Sequence, residues 1–60
     1  MNIYVVYETK IDPDTNSEWD EEIAIYRDEW EAADRRKALN ELNLNPLRYY
    51  WYRKQKRIDK

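Results

Sequence analysis

The segment at positions 48–57, RYYWYRKQKR, joins four consecutive aromatic residues to a run of basic residues. Aromatic rings can stack on the bases of single-stranded nucleic acid, and basic side chains can bind its phosphates. If the segment is a strand, alternate side chains point to opposite faces, so only half of them can serve one surface. That surface, completed by two tyrosines from earlier segments, comprises Tyr4, Tyr26, Arg48, Tyr50, Tyr52, Lys54 and Lys56. Because nucleic-acid-binding domains are basic and this chain has a net charge of −2, we favour a structural strand that balances acidic neighbours.

A second set of charged residues is acidic and lies in the first half of the chain. Residues 1–34 contain eleven acidic and two basic residues, a net charge of −9, whereas residues 35–60 have a net charge of +7. A negative field of this kind can steer a basic protein surface, and tryptophan is a frequent anchor in protein interfaces. The predicted protein-binding residues are Asp12, Asp14, Glu18, Trp19, Asp20, Glu21, Glu29, Trp30 and Glu31. In the alternative interpretation, the two tryptophans pack on each other as a small structural cluster.

Part of the acidic segment follows the start of a calcium-binding loop. Asp12, Asp14 and Asn16 match the first three ligand positions of such a loop. The position that requires glycine is Ser17, and the position that requires a bidentate glutamate is Ile23. We therefore predict a solvated hairpin loop and no metal site.

Residue types on which most catalytic sites depend are missing. The sequence has no histidine, no cysteine and no glycine, which removes the commonest general base, disulfides and thiolate metal sites, and the usual phosphate-binding loop. Ser17 has no histidine to activate it, and so small a domain offers no deep cleft in which carboxylate pKa values would shift. We predict no enzymatic activity and no cofactor.

The hydrophobic pattern places these residues on one small α+β domain that spans residues 1–60. Residues 3–7 and 22–27 are rich in β-branched and aromatic side chains, which favours two strands. Residues 12–17 have the composition of a turn and would join these strands as an antiparallel hairpin. Asn16 is the best candidate for a positive φ, because asparagine tolerates it and glycine is absent.

A helix and a third strand follow. Good helix formers run from residue 29 to 42, preceded by Asp28 in a capping-box-like position. Asn43 is predicted as a left-handed cap, and Pro46 prevents continuation of the helix. Residues 47–58 form the last predicted strand.

The order ββαβ predicts a three-stranded antiparallel sheet with strand order 2-1-3 and one helix packed on one face. A right-handed crossover from the second strand to the third passes over the first, which therefore lies in the centre. We expect the helix on the face with the odd-numbered strand residues. The predicted core consists of Ile3, Val5, Tyr7, Ile23, Ile25, Ala32, Leu39, Leu42, Leu47, Tyr49 and Trp51.

The segments IYVVYE, EEIAIYRDEWEA and YYWY together resemble very short ββαβ proteins of phage and mobile-element genomes. That group includes anti-CRISPR inhibitors. The resemblance extends over nearly the whole chain, and it implies a fold together with an inhibitory role against host machinery. It assigns no individual residue.

These observations lead to the hypothesis of a non-enzymatic inhibitor or adaptor that presents an acidic surface to a basic partner, including nucleic-acid-binding proteins. Two alternatives remain: binding of single-stranded nucleic acid by the aromatic and basic surface, and formation of a homodimer through that surface or through an edge strand. The longest uncharged apolar run, residues 3–7, is far shorter than the ~20 residues that span a bilayer. With no signal peptide in evidence, we expect no membrane association and a cytoplasmic location.

Overall fold

The computed structural model describes residues 2–56, which form three strands and one helix. In chain order these are β1 (Asn2–Ile11), β2 (Glu18–Tyr26), α1 (Glu29–Leu42) and β3 (Arg48–Lys56). β1 pairs antiparallel with both other strands in one sheet of order β2-β1-β3. The predicted ββαβ fold and strand order are confirmed. Residues 57 and 58, predicted as the end of the last strand, lie outside the described residues.

The hairpin strands β1 and β2 extend further towards their connecting loop than predicted. Thr9 Oγ1 donates a hydrogen bond of 2.6 Å to Asp20 Oδ1, and Lys10 Nζ lies 3.2 Å from Glu21 Oε2. Such cross-strand polar pairs stabilise strand pairing even where the sequence is strongly charged. In the loop, Asn16 has a φ of 61°, which confirms its predicted left-handed conformation.

The helix α1 begins and ends where predicted, but both predicted caps are wrong in detail. Asp28 is the N-cap residue, yet its side chain makes no capping hydrogen bond. Asn43 has an extended backbone, with φ −81° and ψ 115°, and not a left-handed one. Its side chain donates a hydrogen bond of 2.7 Å to the Arg48 carbonyl oxygen and accepts one of 3.1 Å from the Asn45 amide. Asn43 therefore ties the end of the helix to the start of β3.

The helix covers the opposite sheet face from the one predicted. The guanidinium carbon of Arg36 lies 5.3 Å from the centre of the Tyr52 ring. Leu39 and Tyr50 line the same shallow depression beside the helix. We call this side the covered face. By strand register its members are Tyr4, Val6, Glu8, Lys10, Trp19, Glu21, Ala24, Tyr26, Arg48, Tyr50, Tyr52, Lys54 and Lys56.

The reversed face changes the hydrophobic core. Ile3, Val5 and Ala32 are buried as predicted, and Val6, which was assigned to the solvent side, is buried as well. The half-buried members of the predicted core are Tyr7, Leu39, Leu47 and Trp51. Four residues of the predicted core are exposed, so their assignment to the core is wrong: Ile23, Ile25, Leu42 and Tyr49.

A β-bulge in β2 changes which side chains share a face. Val6 pairs with Ala24 and Tyr7 pairs with Glu22, so Ile23 is the extra residue. Because a bulge adds one residue to a period of two, the acidic residues before it change sides relative to the residues after it. Glu22 and Asp20 therefore lie on the same face as Ile25.

The helix also occupies part of the outer edge of β3. The side chain of Asn40 donates to the Tyr50 carbonyl oxygen and accepts from the Tyr50 amide, both at 3.1 Å. This pair of hydrogen bonds satisfies two backbone groups that an edge strand otherwise exposes.

Within residues 2–56, no helix is long and apolar enough to cross a membrane.

Candidate functional site

The sheet face opposite α1 is covered by none of the elements that residues 2–56 form. We call it the open face. Its members are Ile3, Val5, Tyr7, Thr9 and Ile11 from β1, Glu18, Asp20, Glu22 and Ile25 from β2, and Tyr49, Trp51, Arg53 and Gln55 from β3. Val5 is nevertheless fully buried, because its cross-strand neighbours Ile25 and Arg53 flank it.

An ordered stack of aromatic rings and a guanidinium group lies at the centre of the open face. The rings of Tyr7 and Trp51 stack with centres 4.5 Å apart and planes 19° apart. The Arg53 guanidinium carbon lies 5.4 Å from the Tyr7 ring centre and 6.0 Å from that of Trp51. Arg53 and Gln55 also donate hydrogen bonds to the Tyr7 hydroxyl. A platform held in this way loses little side-chain entropy when a partner binds.

A chain of hydrogen bonds connects this stack to the acidic strand. Trp51 Nε1 donates to Thr9 Oγ1 at 2.7 Å, and Thr9 Oγ1 donates to Asp20 Oδ1 at 2.6 Å. Thr9 is buried, so both bonds are partly shielded from water, while the Asp20 residue itself is exposed. The indole is thereby fixed in position beside the acidic strand.

Apolar side chains flank the stack. Ile25 and Tyr49 are 48% and 44% exposed and lie on opposite outer strands. Large apolar side chains grouped around aromatic rings are typical of an interaction surface.

The covered face carries a separate polar network at its charged end. Tyr50 Oη donates a hydrogen bond of 2.6 Å to Glu8 Oε2, and Lys10 Nζ lies 3.6 Å from Glu8 Oε1. This hydrogen bond holds the pKa of Glu8 below its ordinary value of 4.5, assisted by Lys10 and Arg48 and opposed by burial. The same bond raises the pKa of Tyr50 above 10.0, and burial adds to the effect. Tyr50 is therefore engaged within the fold.

The predicted aromatic and basic surface does not form an open stacking platform. All seven of its residues, Tyr4, Tyr26, Arg48, Tyr50, Tyr52, Lys54 and Lys56, lie on the covered face. Its tyrosines are half-buried: the Tyr50 hydroxyl is hydrogen-bonded to Glu8, and the Arg36 guanidinium lies over the Tyr52 ring. The expectation that this face is uncovered is wrong, because the register places the other face outward.

The structure separates the predicted acidic surface into two groups. The residues of the hairpin group are Asp12, Asp14, Glu18, Trp19, Asp20 and Glu21, and those of the helix-start group are Glu29, Trp30 and Glu31. Trp19 pairs with Lys10 near the loop, whereas Tyr26 at the other end of β2 leads into the helix. At ~3.3 Å per residue these ends are about 23 Å apart, so the two exposed tryptophans do not pack on each other.

Sequence reasoning missed the open face because its apolar residues were assigned to the core. Both faces of the sheet have an apolar character, and strand periodicity alone does not say which one a helix covers. One signal was available in the helix, whose one buried residue among those described is the small residue Ala32. Small helix residues fit opposite bulky tyrosines, since large and small side chains alternate across a well-packed layer.

Comparisons with known proteins do not assign this surface. No family model matches the chain, and no curated protein or solved structure is similar to it. In the described part of the chain, no group of three or more acidic side chains is arranged to hold a metal ion.

Proposed function

We propose that this chain is a non-enzymatic protein-binding module, an inhibitor or adaptor, that presents its open face and acidic β2 border to a basic partner protein. The observation that supports this function best is the pair of half-exposed apolar residues, Ile25 and Tyr49, beside an ordered aromatic stack. In so small a chain, apolar area left in water forgoes stabilisation that the fold needs. A bound partner would remove that area from water.

The stack consists of residue types that dominate binding energies. Tyrosine, tryptophan and arginine are enriched among the interface residues whose truncation costs most. Tyr7, Trp51 and Arg53 are already held in one arrangement by stacking and hydrogen bonds. A preorganised anchor of this kind favours slow dissociation.

The charge of the open face specifies a basic partner. On the open face, β2 carries the acidic residues Glu18, Asp20 and Glu22, whereas the described members of that face include one basic residue, Arg53. A second copy would present the same excess of acid, so the charges disfavour self-association through this face. A basic surface would be attracted by it and would associate faster, especially at low salt.

A nucleic-acid-binding protein is the more specific partner within this proposal. Surfaces that bind phosphate backbones are rich in lysine and arginine, so they match the acidic border of the open face. The resemblance to short phage proteins, some of which inhibit host defence, points in the same direction. Inhibition would then follow from occupation of a basic surface without any chemical step.

The experiment compares partner capture by matched variants of the full chain. Ile25→Thr combined with Tyr49→Ser removes apolar area from the open face, and capture from a lysate should fall by about tenfold or more. Leu42→Thr combined with Leu44→Ser is the control, since these residues are even more exposed (81% and 94%) and lie on the far side of the sheet, at the end of the helix. Circular dichroism checks that both variants fold. Equal capture by both variants and the parent chain would show that the open face is not the binding surface.

A further inference from the structure

The two outer strands of the sheet differ in whether side chains form hydrogen bonds to the backbone at their free edges. On β3, Asn40 satisfies both backbone groups of Tyr50, and Asn43 binds the Arg48 carbonyl oxygen. β2 is hydrogen-bonded to β1 on one side only. Along residues 18–21 of β2, no side chain of the described residues makes an equivalent pair of bonds to the outer edge. This stretch therefore presents unpaired backbone donors and acceptors.

The side chains along the same stretch alternate in a regular way. Glu18, Asp20 and Glu22 point to the open face, at intervals of ~6.6 Å. Trp19 and Glu21 point to the other side. A strand added at this edge would therefore meet an acidic side chain at every second position on the open face.

We infer that the edge of β2 from Glu18 to Glu21 binds an extended basic segment of the partner protein, which adds to the sheet as a fourth strand. Main-chain hydrogen bonds would provide affinity, and alternating lysine or arginine side chains opposite the acidic row would provide specificity. This inference rests on the proposed function and names the part of the basic partner that β2 receives. The bulge at Ile23 ends the regular stretch, so the added strand is short.

The charge pattern selects against other occupants of this edge. Two copies pairing through β2 would place acidic residues opposite acidic residues, which is destabilising. The edge of β3 in a second copy is basic, but Asn40 already occupies it at Tyr50. The same acidic row that prevents self-pairing admits a basic strand, so one feature serves both solubility and specificity.

The test uses a blocked peptide of about ten residues in which lysine and threonine alternate. The full chain should bind it with an affinity that falls steeply with salt, and exchange of the outward-facing amides within residues 18–21 should slow by about tenfold or more. Amides of β3 should keep their exchange rates. Protection at β3, or at no strand, would overturn the inference.

Two N-methylated versions of the peptide separate strand addition from loose charge attraction. One carries N-methyl groups at every lysine and the other at every threonine. Only one set of amides can face β2, so one version should lose binding and the other should retain it. If both versions bind alike, the peptide is not paired as a strand.

Charge variants of the protein complete the experiment. Glu18→Lys combined with Asp20→Lys should weaken peptide binding by about tenfold or more, whereas Asp34→Lys combined with Glu41→Lys, the same charge change on exposed helix residues, should have little effect. The two proposals can fail separately. Loss of capture by the Ile25 and Tyr49 variant with no peptide pairing would overturn strand addition alone. Peptide pairing with unchanged capture would overturn the role of the open face.

Discussion

Replacing Tyr50 by phenylalanine tests the polar network beneath the helix. The substitution keeps the ring and removes only the hydroxyl that donates to Glu8 at 2.6 Å. Glu8 is 8% exposed, so water cannot fully replace the lost donor. A hydrogen bond to a charged group contributes about 1.5–3 kcal/mol, and we expect the free energy of unfolding at neutral pH to fall by that amount. This is a large fraction of the total for so small a domain.

The effect of Tyr50→Phe should depend on pH in a defined direction. The folded-state pKa of Glu8 is lowered, so its ionisation stabilises the fold above the unfolded-state pKa, and this contribution is lost as the pH falls through the folded-state value. The difference between parent and variant should therefore shrink below about pH 4. The pKa of Tyr50 is raised, so its contribution is complete below pH 10.0 and is lost as the pH rises through the folded-state pKa. Urea denaturation followed by circular dichroism measures the difference in unfolding free energy between parent and variant at low and at high pH.

Tyr49→Phe is the matched control for this experiment. Tyr49 is the preceding residue of β3, lies on the open face and is half-exposed, and its hydroxyl makes no hydrogen bond within the described residues. Loss of the Tyr49 hydroxyl should change the unfolding free energy by less than about 0.5 kcal/mol. The reasoning is refuted if the two variants are equally stable, or if the Tyr50→Phe effect is the same at about pH 3 as at neutral pH.

Other substitutions test the remaining features of the fold. Asn40→Ala removes two hydrogen bonds from the Tyr50 backbone and should cost about 1–3 kcal/mol in urea denaturation, with increased aggregation at the freed edge by light scattering. Val5→Ala should cost about 2–4 kcal/mol because Val5 is fully buried, whereas Ile25→Ala should cost less than about 1 kcal/mol; the reverse order would show that the core assignment is wrong. Asn16→Val should cost about 1–2 kcal/mol through its positive φ, and Asn16→Gly should be close to neutral in thermal denaturation; equal stability of the two would contradict the left-handed turn.

The sequence by itself determined the elements of this protein and their arrangement in the sheet. β-branched and aromatic runs, a turn-rich loop and a segment of good helix formers predict ββαβ, because these signals are local. The antiparallel order 2-1-3 follows from a short hairpin and a crossover helix. The bounds of α1 and the positive φ of Asn16 were predicted for the same local reasons. The clustering of acidic residues on β2 and basic residues on β3 was visible as well, since opposite halves of the chain form opposite edges.

The tertiary structure alone decided which face of the sheet became the surface. The handedness of a crossover fixes the side on which a helix packs, but it does not fix which set of alternate side chains points there. Both sets are apolar in this chain, so the choice depends on how the helix face around the buried Ala32 fits against the tyrosines of the covered face. The bulge at Ile23 then moved the acidic row to the open face, next to Ile25. A bulge without glycine has no local signature in the sequence, because its position is set by the packing of two strands against each other.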